Sequence, residues 1–262
     1  MLGRYNYASA RPGLARHIHC NAMEFCYLVK GRQKYRVGFR DYTLKGGDVF
    51  LTFPNEQHDT GDAPEEKGVL YWLILRMPKL RHPFLGDSSP ASRCLVERLL
   101  RIRERHFPGT PIMKRLFDEM LVLQHRRNHP FRRLAIKARL VDFLLEVAAS
   151  AERQARPGPS AVINAVLRHI DSRLHEPITM SELAAQAKLS ESRFKTRFKR
   201  EVGIPPADCV LRRKIDAAKG LLRAQNASVT DVAFRLGFSS SQYFATVFRR
   251  YTGRRPRDFQ RS

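Results

Sequence analysis

Three histidines and a glutamate stand out for their chemistry: His17, His19, Glu24 and His58. His17 and His19 are two apart, and on a strand such a pair projects to one face. Imidazoles sharing a face, with a carboxylate close behind in the chain, are the donors of a facial metal site. The same groups serve equally as the polar border of a pocket for a small molecule. The cysteines, Cys20, Cys26, Cys94 and Cys209, form no C-x-x-C pair. They read as reduced packing residues rather than a disulfide or zinc framework. No separate catalytic constellation accompanies them.

Charge supplies a second kind of chemistry. The 262 residues include 48 Lys and Arg against 25 Asp and Glu, a net charge of +23. Such an excess invites DNA, RNA or an anionic membrane surface. Residues 161–262 carry 20 basic and 9 acidic residues, so +11 of the excess falls on 102 residues. A hydrophobic content of 43% argues against a disordered chain. The length predicts two domains, each able to bury a core. No apolar run reaches the ~18–20 residues of a membrane span. The opening MLGRYNYASARPG lacks the apolar centre of a signal peptide. A soluble, cytoplasmic chain without membrane contact is expected.

Residues 15–77 read as short strands. AMEFCYLVKG ends at Gly31, GRQKYRV continues as its hairpin partner, Lys45–Asp48 is a turn, and VFLTFP and VLYWLIL are further strands. Short strands at close spacing suggest a small sandwich or barrel. Trp72, Tyr27 and Tyr35 are candidates to line a pocket, with core packing the competing reading. Arg32, Lys34 and Arg36 alternate along one strand, as an anion-attracting face or a solvated one. Helical spacing takes over in residues 90–106, 111–127 and 131–153, through Leu95, Leu99, Ile102, Ile112, Leu116, Leu123, Leu134, Leu140 and Leu144. Residues 153–160, with two prolines and a glycine, read as a linker.

The last hundred residues contain a repeat. ITMSELAAQAKLSESRFKTRFKREVGIPP (178–206) aligns with VTDVAFRLGFSSSQYFATVFRRYTGRRP (229–256). Each unit reads as helix, tight turn, helix. Thr179-x-x-Glu182 predicts a capping box, and Ser228-x-x-Asp231 a weaker one. Ser190 and Ser240 are placed to cap the second helices. Phe194/Phe198 and Phe244/Phe248 put one aromatic stripe on each second helix, facing a core. The outward faces are short, polar and followed by basic pairs. That is the layout of a helix-turn-helix, whose second helix enters the major groove with its N-terminal residues at base edges.

Over residues 161–262 the chain resembles the AraC/XylS-type transcription regulators. The residues that carry the resemblance are Val232-Ala233, Gly237-Phe238, Ser239–Ser241, Tyr243-Phe244, Phe248-Arg249-Arg250, Tyr251, Gly253 and Pro256, with the joining helix RRKIDAAKGLL (212–222). Cys209 stands where the family commonly has an aromatic, a departure in packing. The resemblance implies that Ser192, Lys195, Thr196, Ser241, Gln242, Ala245 and Thr246 read bases. Lys199, Arg200, Arg249 and Arg250 are better placed for phosphates, which position without specifying.

The N-terminal region resembles the two cupin motifs, through His17-x-His19-x4-Glu24-x6-Gly31 and Gly47-Asp48 with Pro54-x3-His58. In metal cupins the equivalents of His17, His19, Glu24 and His58 hold one ion. Here the second motif lacks a glycine and its histidine is shifted by one. AraC-type sensor domains resemble cupins and bind small effectors instead. The expectation is therefore no metal and no cofactor, with the four residues bordering an effector pocket.

The expected fold is α+β: an N-terminal cupin-like β-barrel followed by helices, then an all-α C-terminal domain with two helix-turn-helix motifs. Residues 1–152 form the sensing domain, with dimerisation helices at about 90–150; 153–160 link it to the DNA-binding domain, 161–262. The expected function is sequence-specific, ligand-responsive transcription regulation by a non-enzyme. Its partners are double-stranded DNA, an unidentified small-molecule effector and a second copy of the chain, with RNA polymerase a further candidate. The alternatives are a metal-dependent cupin enzyme fused to a DNA-binding domain, and an architectural protein reading only charge.

Overall fold

The apolar run that begins at Ala22 does not stop at Gly31. In the computed structural model, which describes residues 1–79, 82–126, 128, 130–153, 159–223 and 227–260, it continues as one 16-residue strand, β3 (Ala22–Val37). The expected hairpin at Gly31 does not form: Gly31 pairs with Gly68, and the only irregularity beside it is a bulge at Val29, where the register against β7 shifts between Leu28 and Lys30. A bulge bends a strand without reversing it. The reversal comes later, between Val37 and Arg40, and the hairpin partner of residues 32–37 is β4 (Arg40–Lys45).

The remaining strands are β1 (Leu2–Tyr7), β2 (His17–Ile18), β5 (Asp48–Thr52), β6 (Gln57–Asp59), β7 (Gly68–Arg76) and β8 (His106–Pro108). The main path runs β1–β7–β3–β5–β8, while β4 and β6 pair with the second half of β3 and β2 pairs with β6. Closing a barrel would require its two edges to pair. Among the described residues β1 and β8 remain edges, so the sheet is open rather than the expected closed barrel. Helices cover one of its faces.

Alternation along β3 separates two cores. Met23, Phe25 and Tyr27 join Val49, Leu51, Tyr71 and Leu73 on the face that packs against helices. Cys26 and Leu28 point the other way, with Phe50, Leu70, Tyr35 and Leu44. Tyr27 and Tyr35 are thus core residues. Lys34 and Arg36 both pair with Asp41, at 2.6 and 2.7 Å, as surface side chains do.

The covering helices are α1 (Pro90–Leu100), α2 (Pro111–His125) and α3 (Arg132–Glu152). The first ends before residue 106, because His106–Pro108 is drawn into the sheet as β8 beside β5. Leu99, Leu116, Leu140 and Leu144 are buried as their spacing predicts, whereas Ile112 and Leu134 are exposed. The buried stripe of α3 begins only at Leu140, a turn and a half after Leu134. The linker expected at 153–160 falls partly outside the described residues.

The chain divides into two compact units. The first holds the sheet and α1–α3. The second holds residues 157–262 with the short segments Tyr7–Pro12 and Ala63–Lys67, and its described structure beyond those segments is helical. Its helices are α4 (Ala161–Ser172), α5 (Met180–Gln186), α6 (Glu191–Val202), α7 (Pro206–Arg223), α8 (Val229–Arg235), α9 (Ser241–Thr252) and α10 (Pro256–Gln260). Two separate cores form, around Phe194/Phe198 and around Phe244/Phe248. The long helix α7 serves both: Cys209 and Val210 enter the first, Ile215, Ala218 and Leu222 the second. No described helix is long and apolar enough to cross a membrane.

Candidate nucleic-acid interface and a histidine–glutamate cluster

Each aromatic pair fixes the rotation of its helix. With Phe194 and Phe198 fully buried, the opposite face of α6 must be outside. Ser192, Lys195, Thr196, Lys199 and Arg200 are all exposed there. On α9 the buried set is Phe244, Val247, Phe248 and Tyr251. Gln242, Thr246, Arg249 and Arg250 are exposed, and Ser241 and Ala245 are half-buried. Gln242, Thr246 and Arg249 follow one another by about a turn and lie on one stripe. Lys195 carries an ion pair to Glu191 at 2.7 Å, so its ammonium is already held at the start of α6. Two exposed side chains stand outside the expected DNA-contact set, Arg193 on α6 and Tyr243 on α9. Each precedes a core phenylalanine, which made it look like flank rather than face.

The caps differ in detail from their predicted form. Thr179 Oγ1 accepts from the Glu182 N–H at 3.2 Å, but the Glu182 carboxylate does not complete the box. It is taken by Arg173 and by His169, the latter at 3.2 Å. Two charged or polar partners outcompete one backbone N–H. Ser228 and Ser240 cap α8 and α9 through the N–H groups of Asp231 and Tyr243. Ser190 occupies the cap position of α6 but makes no side-chain cap bond. Cys209 is buried in the first core, a packing role.

Both turns need a left-handed residue, and the two repeats solve this differently. Lys188 adopts φ +54° in the first, Gly237 φ +62° in the second. A Cβ on Gly237 would lie 2.9 Å from the carbonyl carbon of Glu176 and 3.1 Å from its oxygen. Gly237→Ala therefore combines backbone strain with a clash against main chain, and should destabilise by about 2 kcal/mol or more. Lys188→Gly relieves strain but frees the unfolded chain, and should stay within about 1 kcal/mol of neutral. Thermal melts of the two variants check this; equal shifts would remove the clash from the explanation.

In the other unit, His17, His19, Glu24 and His58 come together. One donor atom from each lies within 4.8 Å of every other. The register explains the meeting: β2 and β6 are antiparallel with His17 directly opposite His58. Glu24 lies on the face of β3 turned away from the helices. The imidazole rings of His17 and His58 are 4.1 Å apart between centroids, and those of His19 and His58 5.2 Å. Glu24 Oε2 is 3.1 Å from His58 Nε2 and 3.6 Å from His19 Nε2. By strict geometry all three atoms are buried without a hydrogen-bond partner among the described residues. Burial alone would raise the Glu24 pKa, but the adjoining imidazoles outweigh it and bring it down to about 2. Burial opposes charge on His58 as well, and the Glu24 carboxylate overcomes this to raise its pKa.

The other ring nitrogens are held from outside. His17 Nδ1 is 2.8 Å from the Ala15 carbonyl, and His58 Nδ1 is 3.2 Å from that of Glu56. Carbonyls only accept, so both Nδ1 atoms carry the proton and both Nε2 atoms turn a lone pair inward when neutral. Thr52, paired with Glu24 across the ladder, adds a buried hydroxyl on the same face, without a hydrogen-bond partner among the described residues. Trp72 is half-buried on that face too, and its Nε1 is buried without a hydrogen-bond partner among the described residues. The sequence pattern did not single out Thr52, whose role follows from pairing.

Known proteins match both parts. A family model described as an AraC-like ligand binding domain matches residues 7–144, and one described as a helix-turn-helix domain matches residues 183–262. The chain is 25% identical to the uncharacterized HTH-type transcriptional regulator YfiF of Bacillus subtilis (strain 168), over 89% of this chain and 74% of that protein. It is 36% identical to the HTH-type transcriptional activator RhaS of Klebsiella pneumoniae (strain 342) over 100 residues, 38% of this chain and 36% of RhaS. Among solved structures, the DNA-binding domain of AdpA in complex with a target DNA aligns at 30% identity and a TM-score of 0.38, covering 39% of this chain and 92% of that one.

Proposed function

The chain belongs to the AraC family of DNA-binding transcription regulators, and from that premise we propose how its residues divide the work. Residues 161–262 bind double-stranded DNA with α6 and α9 in major grooves. Ser192, Lys195, Thr196, Ser241, Gln242, Ala245 and Thr246 meet base edges. Gln is suited to adenine, and Ala to the methyl of thymine. Lys199, Arg200, Arg249 and Arg250 neutralise phosphates. The observation that carries this reading is the pair of matching polar faces, each set opposite a buried phenylalanine pair.

Residues 1–152 bind a small-molecule effector, bordered by His17, His19, Glu24 and His58, and residues 153–160 join the two domains. The effector favours one state of the regulator by no more than its differential affinity for the two. The protein works by recognition rather than catalysis, as the names of its relatives support. It acts in the cytoplasm as a homodimer, with RNA polymerase a partner at the promoter. Support for the dimer comes from α2 and α3, which leave Val122, Leu134 and Leu145 exposed by 50%, 64% and 52%. A cleft between α1 and α3, lined by Leu85, Leu95, Val141 and Leu145, opens beside the exposed Leu145.

Footprinting of the full chain on genomic DNA tests the reading. Protection should fall on two successive major-groove faces, about 10 bp apart for each subunit. Protection no stronger than on random DNA would leave only charge-driven binding and defeat it.

A further inference from the structure

We propose that the helical unit carries a ligand site of its own: a groove between its two helix-turn-helix motifs that takes a small carboxylate with an apolar body, paired through its charge with Lys214. The site is separate from the effector pocket proposed for residues 1–152, and the inference does not rest on that pocket.

The starting point is a charge without a counter-charge. Lys214, on α7, is only 4% exposed. Its Nζ donates to the Glu176 carbonyl at 2.8 Å, and no carboxylate among the described residues pairs with it. The Glu176 carboxylate itself is taken by Arg173, at 2.8 Å. The Phe238 ring lies 5.6 Å from Nζ and is a partial substitute for an anion, since the face of a ring attracts a cation. Burial lowers the Lys214 pKa, with no opposing charge to restore it. An ammonium has three N–H groups, and one is spent here. Burying a charge without its partner is costly, so the place is prepared for an anion. The net charge of +23 adds a repulsion that an anion relieves.

The second observation is the space beside that charge. A groove of about 390 Å³ is lined by Lys214 together with Ile178, Val210, Leu211, Phe238 and Tyr243. An apolar lining with a few polar groups at that size is the usual make-up of a small-molecule site. Its walls are fixed from both motifs. Ile178 packs on the first core and Phe238 belongs to the second. His175 Nδ1 is 2.9 Å from the Arg235 carbonyl, and Gly237 packs against the Glu176 main chain. The groove therefore keeps its width without a ligand.

The chemistry of the occupant follows from the lining. One ammonium balances one negative charge, so a carboxylate fits, whereas a phosphate dianion would leave a charge uncompensated against apolar walls. Ser239, exposed at the rim, offers a hydroxyl to the second carboxylate oxygen. A side chain 4% exposed lies too deep for a duplex phosphate. The apolar walls require an apolar body behind the charge. Tyr243 stands in the first turn of α9 beside Gln242, so the occupant touches the DNA-contacting helix directly.

Hexanoate is the probe, titrated into the full chain by calorimetry. One equivalent should bind per chain. Acetate, which lacks the body, and hexan-1-amine, which reverses the charge, should each bind at least tenfold more weakly. Lys214→Met keeps the apolar stem and should weaken hexanoate binding tenfold or more. Pro177→Glu puts a carboxylate on the wall and should weaken it as much. Pro177 is exposed, so this variant decides the question if Lys214→Met fails to fold. Hexanoate should raise the melting temperature of the wild-type chain and leave that of Lys214→Met unchanged. Glu24→Gln, in the other unit, should bind hexanoate normally. Absence of saturable binding at millimolar hexanoate, equal binding of hexan-1-amine, or unchanged binding in Lys214→Met overturns the proposal and leaves Lys214 as a peg between the motifs. Loss of binding in Glu24→Gln alone overturns it too, by placing the carboxylate in the pocket of residues 1–152.

Discussion

Phe248→Ala should destabilise the second helix-turn-helix by about 3–5 kcal/mol, the usual cost of emptying a buried phenylalanine site. Phe248 is fully buried, and its ring lies 5.6 Å from that of Phe244 and 5.5 Å from that of Phe259. It joins α9 to α10, and its cluster includes Ile215 and Leu222 of α7. The core it belongs to is small, so few neighbours can move in to fill the space. Losing the stripe also releases the rotation of α9, which keeps Gln242 and Thr246 outside. DNA affinity should therefore fall together with stability. Urea unfolding of the full chain measures the first effect, with Phe39→Ala as the control. Phe39 is fully exposed, so its removal should shift stability by no more than about 0.5 kcal/mol. Similar unfolding midpoints for the two variants would show that the aromatic stripe does not hold the helix pair.

Gln242→Ala and Lys195→Ala should relax base preference, whereas Arg249→Ala should weaken all sequences alike. A good side-chain contact to a base edge gives about 1–3 kcal/mol of discrimination, so preference at one position should drop roughly 5- to 150-fold. Losing a phosphate contact instead lowers the salt slope of log K by about 0.9 without changing the preferred bases. Geometry motivates the division. Gln242 lies in the first turn of α9, and Arg249 on the same stripe two turns later. A recognition helix enters the groove by its N-terminal end, so later positions reach the flanking backbone. Lys195 must open or share its ion pair with Glu191 to reach a base, which makes the smaller effect expected of it. Binding selection with the three variants, repeated at two salt concentrations, checks both halves. A shift in preferred bases for Arg249→Ala alone would reverse the assigned roles.

The sequence by itself determined the second unit almost to the residue. Helical order is local: a 3.6-residue period, a cap and a left-handed turn all fall within a dozen positions, and the repeat states each of them twice. So α5, α6, α8 and α9, their buried phenylalanines and three of the four predicted cap bonds could be read directly. What failed there was decided by side chains of the preceding helix and turn, as when Arg173 and His169 took the carboxylate meant for the capping box. The sheet lay at the other limit. Alternation marked the apolar strands, but pairing and register are set between residues far apart in the chain. Whether the chain turned at Gly31 or ran on, whether β1 and β8 met, and which residue faced His17 were all decided by which strands packed together. The four donors were therefore visible as residue types. Only the antiparallel pairing of β2 with β6, over the inward face of β3, brought them to one point, because strand neighbours are chosen by long-range burial and not by spacing along the chain.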